Sequence, residues 1–240
     1  MRIGGMIGLL LAALSLAGCG SADELPDYRY RLTVEVETPE GLRTGSSVIE
    51  VSTSVASEYS IPTPGAVHFR ARGEAVTVDL GNGQTLFALL RSAADADWAG
   101  NLMFRLAPRS YKTGRDGFLQ RYNAMLRMRE PRVLPRYFRN EGHLTNVPAW
   151  PMLVTFGDLD DPTSVERVDP DDFAASFGEG VSLKPITVQM TDDPVTTGIE
   201  ERLGWLGDYY DKMLDGHRIR TIEASNRLAN NLSKIDFLKE

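Results

Sequence analysis

The sequence predicts an α+β fold in which an antiparallel sheet is covered by helices. Apolar and polar residues alternate from Tyr28 to Glu37, a pattern typical of a strand with one buried face. A second alternating stretch is interrupted by Gly81-Asn82-Gly83, a sequence typical of the turn of a β-hairpin. Apolar residues recur at helical spacing from Phe118 to Leu126, so we expect an amphipathic helix against the sheet.

The first strand should bury one face and expose the other. Its predicted inward side chains are Tyr28, Tyr30, Leu32, Val34 and Val36. Pro39-Glu40-Gly41 supplies turn residues, and period two resumes from Ile49 to Val55. The two stretches therefore predict a hairpin with a long loop.

Further β elements follow in the first third of the chain. Val67, Phe69 and Ala71 indicate a third, shorter strand. Residues 76–80 lead into the Gly81-Asn82-Gly83 turn, and residues 86–90 lead out of it, which predicts a second hairpin. We expect these strands to form an antiparallel sheet.

The predicted helix follows a loop rich in alanine and aspartate. Asp116 is its expected N-cap, and Pro131 is expected to enforce its end. Four prolines between residues 131 and 151 oppose regular structure, so an extended segment is predicted there. Residues 152–156 and 181–190 are predicted strands, and Pro185 confines the second to an edge or a bulge.

Two acidic, proline-containing stretches resemble helix starts. Asp169-Pro170-Asp171-Asp172 precedes an apolar stretch at residues 173–177. Asp192-Asp193-Pro194 precedes a helical pattern of Ile199, Leu203, Leu206 and Tyr210, although Thr197 and Glu200 also have capping-box spacing. The apolar residues of the tail, Leu232, Ile235 and Phe237, suggest a last strand.

The amino terminus has the features of an export signal. Arg2 precedes an apolar run of about 14 residues, whereas a transmembrane helix needs about 20. The run ends at Leu16-Ala17-Gly18-Cys19, which resembles the bacterial lipobox. The resemblance implies a diacylglyceryl thioether on Cys19, cleavage after Gly18 and acylation of the new amino terminus. The alternatives are an ordinary secretory signal with a chance cysteine, or a buried thiol.

On the lipobox interpretation, residues 1–18 are a signal peptide, residues 19–27 a lipidated tether and residues 28–240 a single α+β domain. The tether reaches no more than about 25 to 30 Å, which keeps the domain near its membrane. Gly20 stands where aspartate marks inner-membrane retention in enteric bacteria. The resemblance therefore implies the outer membrane, with the domain facing the periplasm.

Composition excludes several classes of chemistry. Cys19 is the only cysteine, so its lipidation would leave no thiol for a disulfide, a cysteine nucleophile or a zinc-thiolate site. The formal net charge is −7, and it becomes −8 when the signal peptide with Arg2 is removed. A strongly acidic chain disfavours nucleic-acid binding.

Charge is segregated along the chain. Residues 105–139 carry ten basic and two acidic residues, whereas residues 157–202 carry twelve acidic and three basic residues. One interpretation is that the two segments neutralise each other within the fold. The other is an arginine-rich face that grips phosphate or carboxylate groups of lipids, envelope polymers or an acidic partner. Its candidate binding residues are Arg121, Arg127, Arg132 and Arg136.

Local motifs for catalysis and metal binding are absent. Asp158, Asp160, Asp161 and Asp169 match a calcium loop poorly and are interpreted as turn and cap residues. The histidines, His68, His143 and His217, have no partner at metal-ligand spacing. We expect no metal and no cofactor. Two carboxylates that meet only in the fold leave no local signature, so a carboxylate-dependent hydrolase acting on an envelope glycan stays an alternative.

Two parts of the chain resemble a group of uncharacterised proteobacterial envelope lipoproteins. The first runs from Arg31-Leu32-Thr33-Val34-Glu35-Val36 through Gly45-Ser46-Ser47-Val48-Ile49-Glu50-Val51. The second is residues 169–180 followed by Asp193-Pro194-Val195-Thr196. The resemblance implies a Gram-negative envelope and carries over no catalytic residue. We expect a non-catalytic lipoprotein that binds the bilayer through acylated Cys19 and a protein partner or an anionic envelope component through its domain. A third hypothesis is an immunity lipoprotein that neutralises a toxin.

Overall fold

A computed structural model describes residues 23–57, 59, 61, 63, 65–138 and 146–240. The predicted lipobox, with Cys19, lies outside the described residues, and so do Arg139 and His143. Within the described part of the chain, no helix is both long and apolar enough to cross a membrane.

Thirteen strands and five helices make up the regular structure of the described residues. Strands β1 to β7 are Asp23–Thr38, Gly41–Val55, Val67–Glu74, Val76–Gly81, Gln84–Ala88, Arg132–Val133 and Tyr137–Phe138. Strands β8 to β13 are Val147–Pro148, Leu153–Phe156, Val165–Arg167, Ser182–Leu183, Thr187–Thr191 and Leu238–Lys239. Helices α1 to α5 are Trp98–Leu106, Gly114–Leu126, Phe173–Phe177, Ile199–Arg202 and Lys234–Phe237.

The strands form antiparallel sheets, which confirms the predicted α+β class. The large sheet has the order β13-β3-β2-β1-β12-β6, and β11 also pairs with β1. The second predicted hairpin lies in a separate sheet of four strands, in the order β10-β9-β5-β4. A two-stranded sheet, β7-β8, occupies part of the proline-rich segment.

The first hairpin is longer and tighter than predicted. The five predicted inward side chains of β1 are all buried, so its alternation is confirmed. Pairing continues to Thr38 opposite Gly41, which leaves only Pro39 and Glu40 in the turn. The predicted long loop is wrong because residues 41–48, which lack an apolar alternation, pair with residues 31–38 of β1. β1 also begins at Asp23, five residues before the predicted start at Tyr28.

The two sheets pack face to face. Alternate residues of β4 and β5 join one buried cluster with the inward face of β1 and β2 and with α1 and α2. The approach is closest at Gly45, where a Cβ atom would overlap the carbonyl oxygen of Thr77 in β4. The β4–β5 turn has positive φ at both Asn82 and Gly83, as a two-residue type I′ turn requires.

The other face of the small sheet is covered by residues 199–240, which we call the C-terminal segment. Phe87 and Leu89 of the β5 region point to this side, whereas Leu86 and Leu90 point to the large sheet. Leu203, Leu206, Leu214, Ala229, Leu232 and Phe237 of the C-terminal segment complete this second cluster. The protein is thus layered as large sheet, small sheet and C-terminal segment.

Helices α1 and α2 differ from the sequence prediction in three features. The sequence predicts a loop over the residues that form α1. In α2 the N-cap is Thr113, so the predicted cap Asp116 lies inside the first turn instead. The helix ends at Leu126, well before Pro131, where the N–H of Arg127 turns back to the carbonyl of Ala124.

The predicted long helix after Asp193 is also wrong. It is reduced to the single turn of α4, because its N-cap is Gly198 and glycines at 204 and 207 interrupt the pattern. The predicted last strand becomes α5 followed by the two residues of β13. By contrast, Asp172 caps α3 as expected, since its carboxylate accepts a hydrogen bond from the N–H of Ala175.

Candidate functional site

Arg121, a predicted binding residue, is held against the fold by α1. Its guanidinium lies 4.5 Å from the centre of the Phe104 ring and donates a hydrogen bond of 3.0 Å to the carbonyl oxygen of Arg105. Burial lowers the pKa of Arg121, and the charge of Arg109 lowers it further. This arginine therefore packs α2 on α1 and presents little of its charge to a partner.

Arg136, the second of the four, connects the basic segment to the acidic one. It stacks on the ring of Trp150 at 4.4 Å and forms an ion pair of 2.7 Å with Asp171. Arg129 forms a similar link, at 2.9 Å, with Asp192. The two charged segments are thus joined within the fold at these two points.

Arg127 and Arg132 are the predicted binding arginines that remain exposed. Arg127 follows the last residue of α2, and Arg132 lies in β6, the edge strand next to β12. Within the described residues, neither guanidinium takes part in an ion pair or hydrogen bond. The four predicted arginines therefore divide into two that support the fold and two that can meet a ligand.

A cleft of about 550 Å³ lies between the end of β3, β13 and the chain before α4. We call it the Glu74 cleft. Its charged lining residues are Arg29, Arg72, Glu74, Glu200, Lys239 and Glu240. Three cations and three carboxylates therefore surround a space large enough for a small ligand.

Glu74 is the most buried charged residue of this cleft, at 7% exposure. Its Oε2 atom accepts a hydrogen bond of 2.9 Å from the N–H of Ile199, the first residue of α4. Burial raises the pKa of Glu74, while the N–H groups of Ile199 and Gly198 oppose the rise. The carboxylate thus holds α4 on the large sheet, and its pKa lies above the ordinary value for a glutamate.

The arginines of the cleft are already paired outside it. Arg29 and Arg72 both contact Glu50, with N–O distances of 2.7 Å. The hydrogen bond from Arg29 is the main cause that lowers the pKa of Glu50, although burial opposes it. This three-residue bridge ties β1, β2 and β3 together on the outer face of the large sheet.

The aspartates near residue 160 form hydrogen bonds that are typical of turns and helix caps. Asp158 accepts from the N–H of Asp160, and Asp161 caps a single 3-10 turn through the N–H of Thr163. No group of three or more His, Cys, Asp or Glu side chains in the described ranges could hold a metal ion. His68 is exposed, and His217 contacts Asp215 at 3.1 Å.

The Glu74 cleft was missed at the sequence level. Its walls come from β3, β13 and residues 194–200, which are far apart in the chain. The available signal was Glu74 itself, a carboxylate at the end of an alternating strand next to Gly73. Comparisons with models of protein families, with curated proteins and with solved structures gave no match.

Proposed function

We propose that the protein is a lipid-anchored protein of the bacterial envelope that binds an anionic partner without catalysis. The observation that carries the proposal is the sequence Leu16-Ala17-Gly18-Cys19, placed only four residues before the first strand begins at Asp23. Such a short connection suits a domain that works beside its membrane. The proposed location is the periplasmic face of the outer membrane.

Exposed arginines supply the proposed binding surface. Arg127 and Arg132 offer guanidinium groups that can grip phosphate or carboxylate groups in a bidentate manner. Neighbouring Arg129 and Arg136 are partly neutralised by their aspartates. An acidic protein and an anionic envelope polymer both fit this chemistry.

The anchor is tested by labelling cells with a radioactive fatty acid and comparing the wild-type protein with Cys19→Ala. We expect label on the wild-type protein only, and mass spectrometry should show an amino-terminal acylated Cys19. A processed but unlabelled wild-type protein would mean an ordinary secretory signal and would overturn the anchor.

The binding surface is tested by cross-linking in cells, followed by capture and mass spectrometry. Reversal of charge in an Arg127→Glu, Arg132→Glu variant should abolish the cross-linked partner. An Arg167→Glu, Arg227→Glu variant, with the same change in net charge at two other exposed arginines, should keep it. Retention of the partner in the first variant would exclude this surface.

A second candidate function is a carboxylate-dependent hydrolase that acts on an envelope glycan. The observation in its favour is the Glu74 cleft, where Glu74 has a raised pKa and shares the lining with Glu200. Glu74→Gln and Glu200→Gln should then each abolish release of reducing ends from cell-wall glycan, whereas the exposed control Glu223→Gln should not. Absence of any release by the wild-type protein would reject this candidate.

A further inference from the structure

We infer that the end of the fold where β1 begins docks directly on an anionic bilayer, as a second membrane contact beside the lipid. The inference rests on the proposed lipid anchor. An apolar cavity of about 490 Å³ opens at this end. It is lined by the start of β1, the end of β2, the loop between β2 and β3, and the first turns of α2, including Leu25, Val55, Tyr59, Val67 and Phe118.

Large apolar side chains are exposed in or next to the segments that line this cavity. Tyr59 and Ile61 in the β2–β3 loop are 93% and 94% exposed. Tyr111, three residues before the cavity residue Gly114, is 85% exposed. A single exposed apolar side chain needs no explanation, but three around one apolar cavity mark an interaction surface. Tyrosine is also enriched where proteins meet the interface between membrane and water.

Cationic residues lie in or next to the same segments. Arg109 and Lys112 flank Tyr111 in the connection between α1 and α2, Arg115 lies in the first turn of α2, and all three are exposed. Asp116 approaches Lys112 at 3.9 Å and partly offsets this charge. Asp27, at the start of β1, is a further carboxylate on this end. Apolar contact is therefore the main contribution, and attraction to anionic lipid headgroups adds to it.

The position of the anchor selects a bilayer as the occupant. Three residues separate Cys19 from Asp23, and the four extended steps along the chain from Cys19 to Asp23 reach about 14 Å at most. Asp23 pairs with Val55, so the strand start lies directly beside the cavity and its rim. An acylated Cys19 would hold this end against the membrane surface, too close for a large protein partner to intervene.

The lipidated full-length chain offers a specific test, because acylation of its only cysteine leaves no other thiol. Single thiols are introduced by Ile61→Cys or Tyr111→Cys, and by Ile219→Cys as a control in the exposed part of the C-terminal segment. Each variant carries a fluorophore and is inserted in vesicles of phosphatidylethanolamine and phosphatidylglycerol that contain a nitroxide lipid. We expect several-fold stronger quenching at Ile61 and Tyr111 than at Ile219.

Two changes separate docking from simple tethering. A flexible Gly-Ser insertion after Gly20 should leave the quenching at Ile61 unchanged if the surface docks, whereas a loss to the Ile219 level would overturn the inference. Replacing phosphatidylglycerol by phosphatidylcholine, or introducing Arg109→Glu, Lys112→Glu and Arg115→Glu, should lower the quenching at Ile61 only in part, because apolar contact is the main contribution. Failure of the anchor itself gives a different result, since an unacylated Cys19 would take up fluorophore in the protein without an introduced thiol.

Discussion

The first hairpin and the C-terminal segment both bury apolar side chains but are held in opposite ways. β1 and β2 form a ladder from Asp23 opposite Val55 to Thr38 opposite Gly41, with one shift of register between Leu25 and Tyr28. The C-terminal segment has single helical turns and depends on side chains that bond to distant backbone. Trp205 Nε1, for example, donates to the carbonyl oxygen of Leu159 at 2.8 Å.

This difference shows what makes a segment predictable. In a ladder, each side chain inherits its direction from the strand period, so alternation in the sequence appears as alternation in burial. In the C-terminal segment, the direction of each side chain is set by the surface it covers. Phe237, for instance, meets the rings of Phe87, Phe156 and Trp205 at 5.9 to 6.2 Å.

Phe237→Ala should produce the largest loss of stability. The side chain is fully buried at the centre of the second cluster, and such truncations cost about 3–5 kcal/mol. Urea unfolding followed by circular dichroism measures the change in the free energy of unfolding. A loss below that of an exposed control, Ile235→Ala, would mean that the C-terminal segment contributes little to the folded state.

Leu32→Ala should produce the next largest loss, about 3 kcal/mol, in the opposite region. Leu32 is fully buried between the sheets, but its strand is fixed on both sides by β2 and β12. The remaining cavity should therefore lower the midpoint of unfolding while hydrogen exchange in the C-terminal segment stays slow. Selective acceleration of exchange in that segment would contradict this separation of the two regions.

Asn230→Ala tests the polar contacts of the C-terminal segment. Its Oδ1 atom accepts a bond of 2.6 Å from the N–H of Thr221, and its Nδ2 atom donates one of 3.1 Å to the carbonyl of Ile219. The substitution leaves the N–H of Thr221 and the carbonyl of Ile219 without this partner. It should lower the free energy of unfolding by about 1–3 kcal/mol. Limited proteolysis should show faster cleavage near residues 219–221, with no change in cleavage of the first hairpin.

Glu50→Gln should have the smallest effect, about 1 kcal/mol, and one that depends on pH. Since Arg29 and Arg72 lower the pKa of Glu50 in the folded state, its stabilisation is present above the unfolded pKa of about 4.3. It is lost as the pH falls through the folded pKa. The variant should be less stable than wild type at pH 7 and should converge with it in acid, as thermal unfolding across that range would show.

Asp236 in the C-terminal segment has the opposite dependence. Burial raises its pKa, against the hydrogen bond from the N–H of Ser233 and the charge of Arg91 at 3.4 Å. The stabilisation that Asp236 gives the folded state is therefore present below its pKa in the unfolded state. It is lost as the pH rises through its pKa in the folded state. Acid therefore weakens the bridge that Glu50 forms with Arg29 and Arg72 on the large sheet. It favours folding through the Asp236 carboxyl group, which lies beneath the small sheet.

Sequence patterns predicted the positions of most strands, but they did not predict how the strands assemble into sheets. The alternation at Tyr28 to Val36 and the Asn82-Gly83 turn are local, so both hairpins could be predicted. Helix α1 could not, because its cap Asp97 makes no side-chain bond and its stability comes from burial of residues such as Trp98 and Met103. The division of the sheet in two depends on contacts such as Gly45 with Thr77, which no local pattern encodes.

The sequence could predict which types of residue the candidate site contains but not where the fold places them. The sequence identified an arginine-rich segment, and Arg127 and Arg132 are indeed exposed. Exposure could not be distinguished from packing for Arg121, because its partner Phe104 lies in the helix that was missed. The Glu74 cleft needed the return of β13 to β3, a contact across more than half of the chain.

If Cys19 carries the proposed lipid, the length of β1 sets how far the protein can extend from the membrane. Sixteen strand residues cover at most about 50 Å, so a domain tethered at Asp23 could carry its Pro39-Glu40 turn that far from the membrane. Arg132 pairs with Val188, which lies opposite Leu32, about 30 Å along the same strand. A single hairpin would then serve as a spacer, with the exposed arginines held at a fixed height above the lipid.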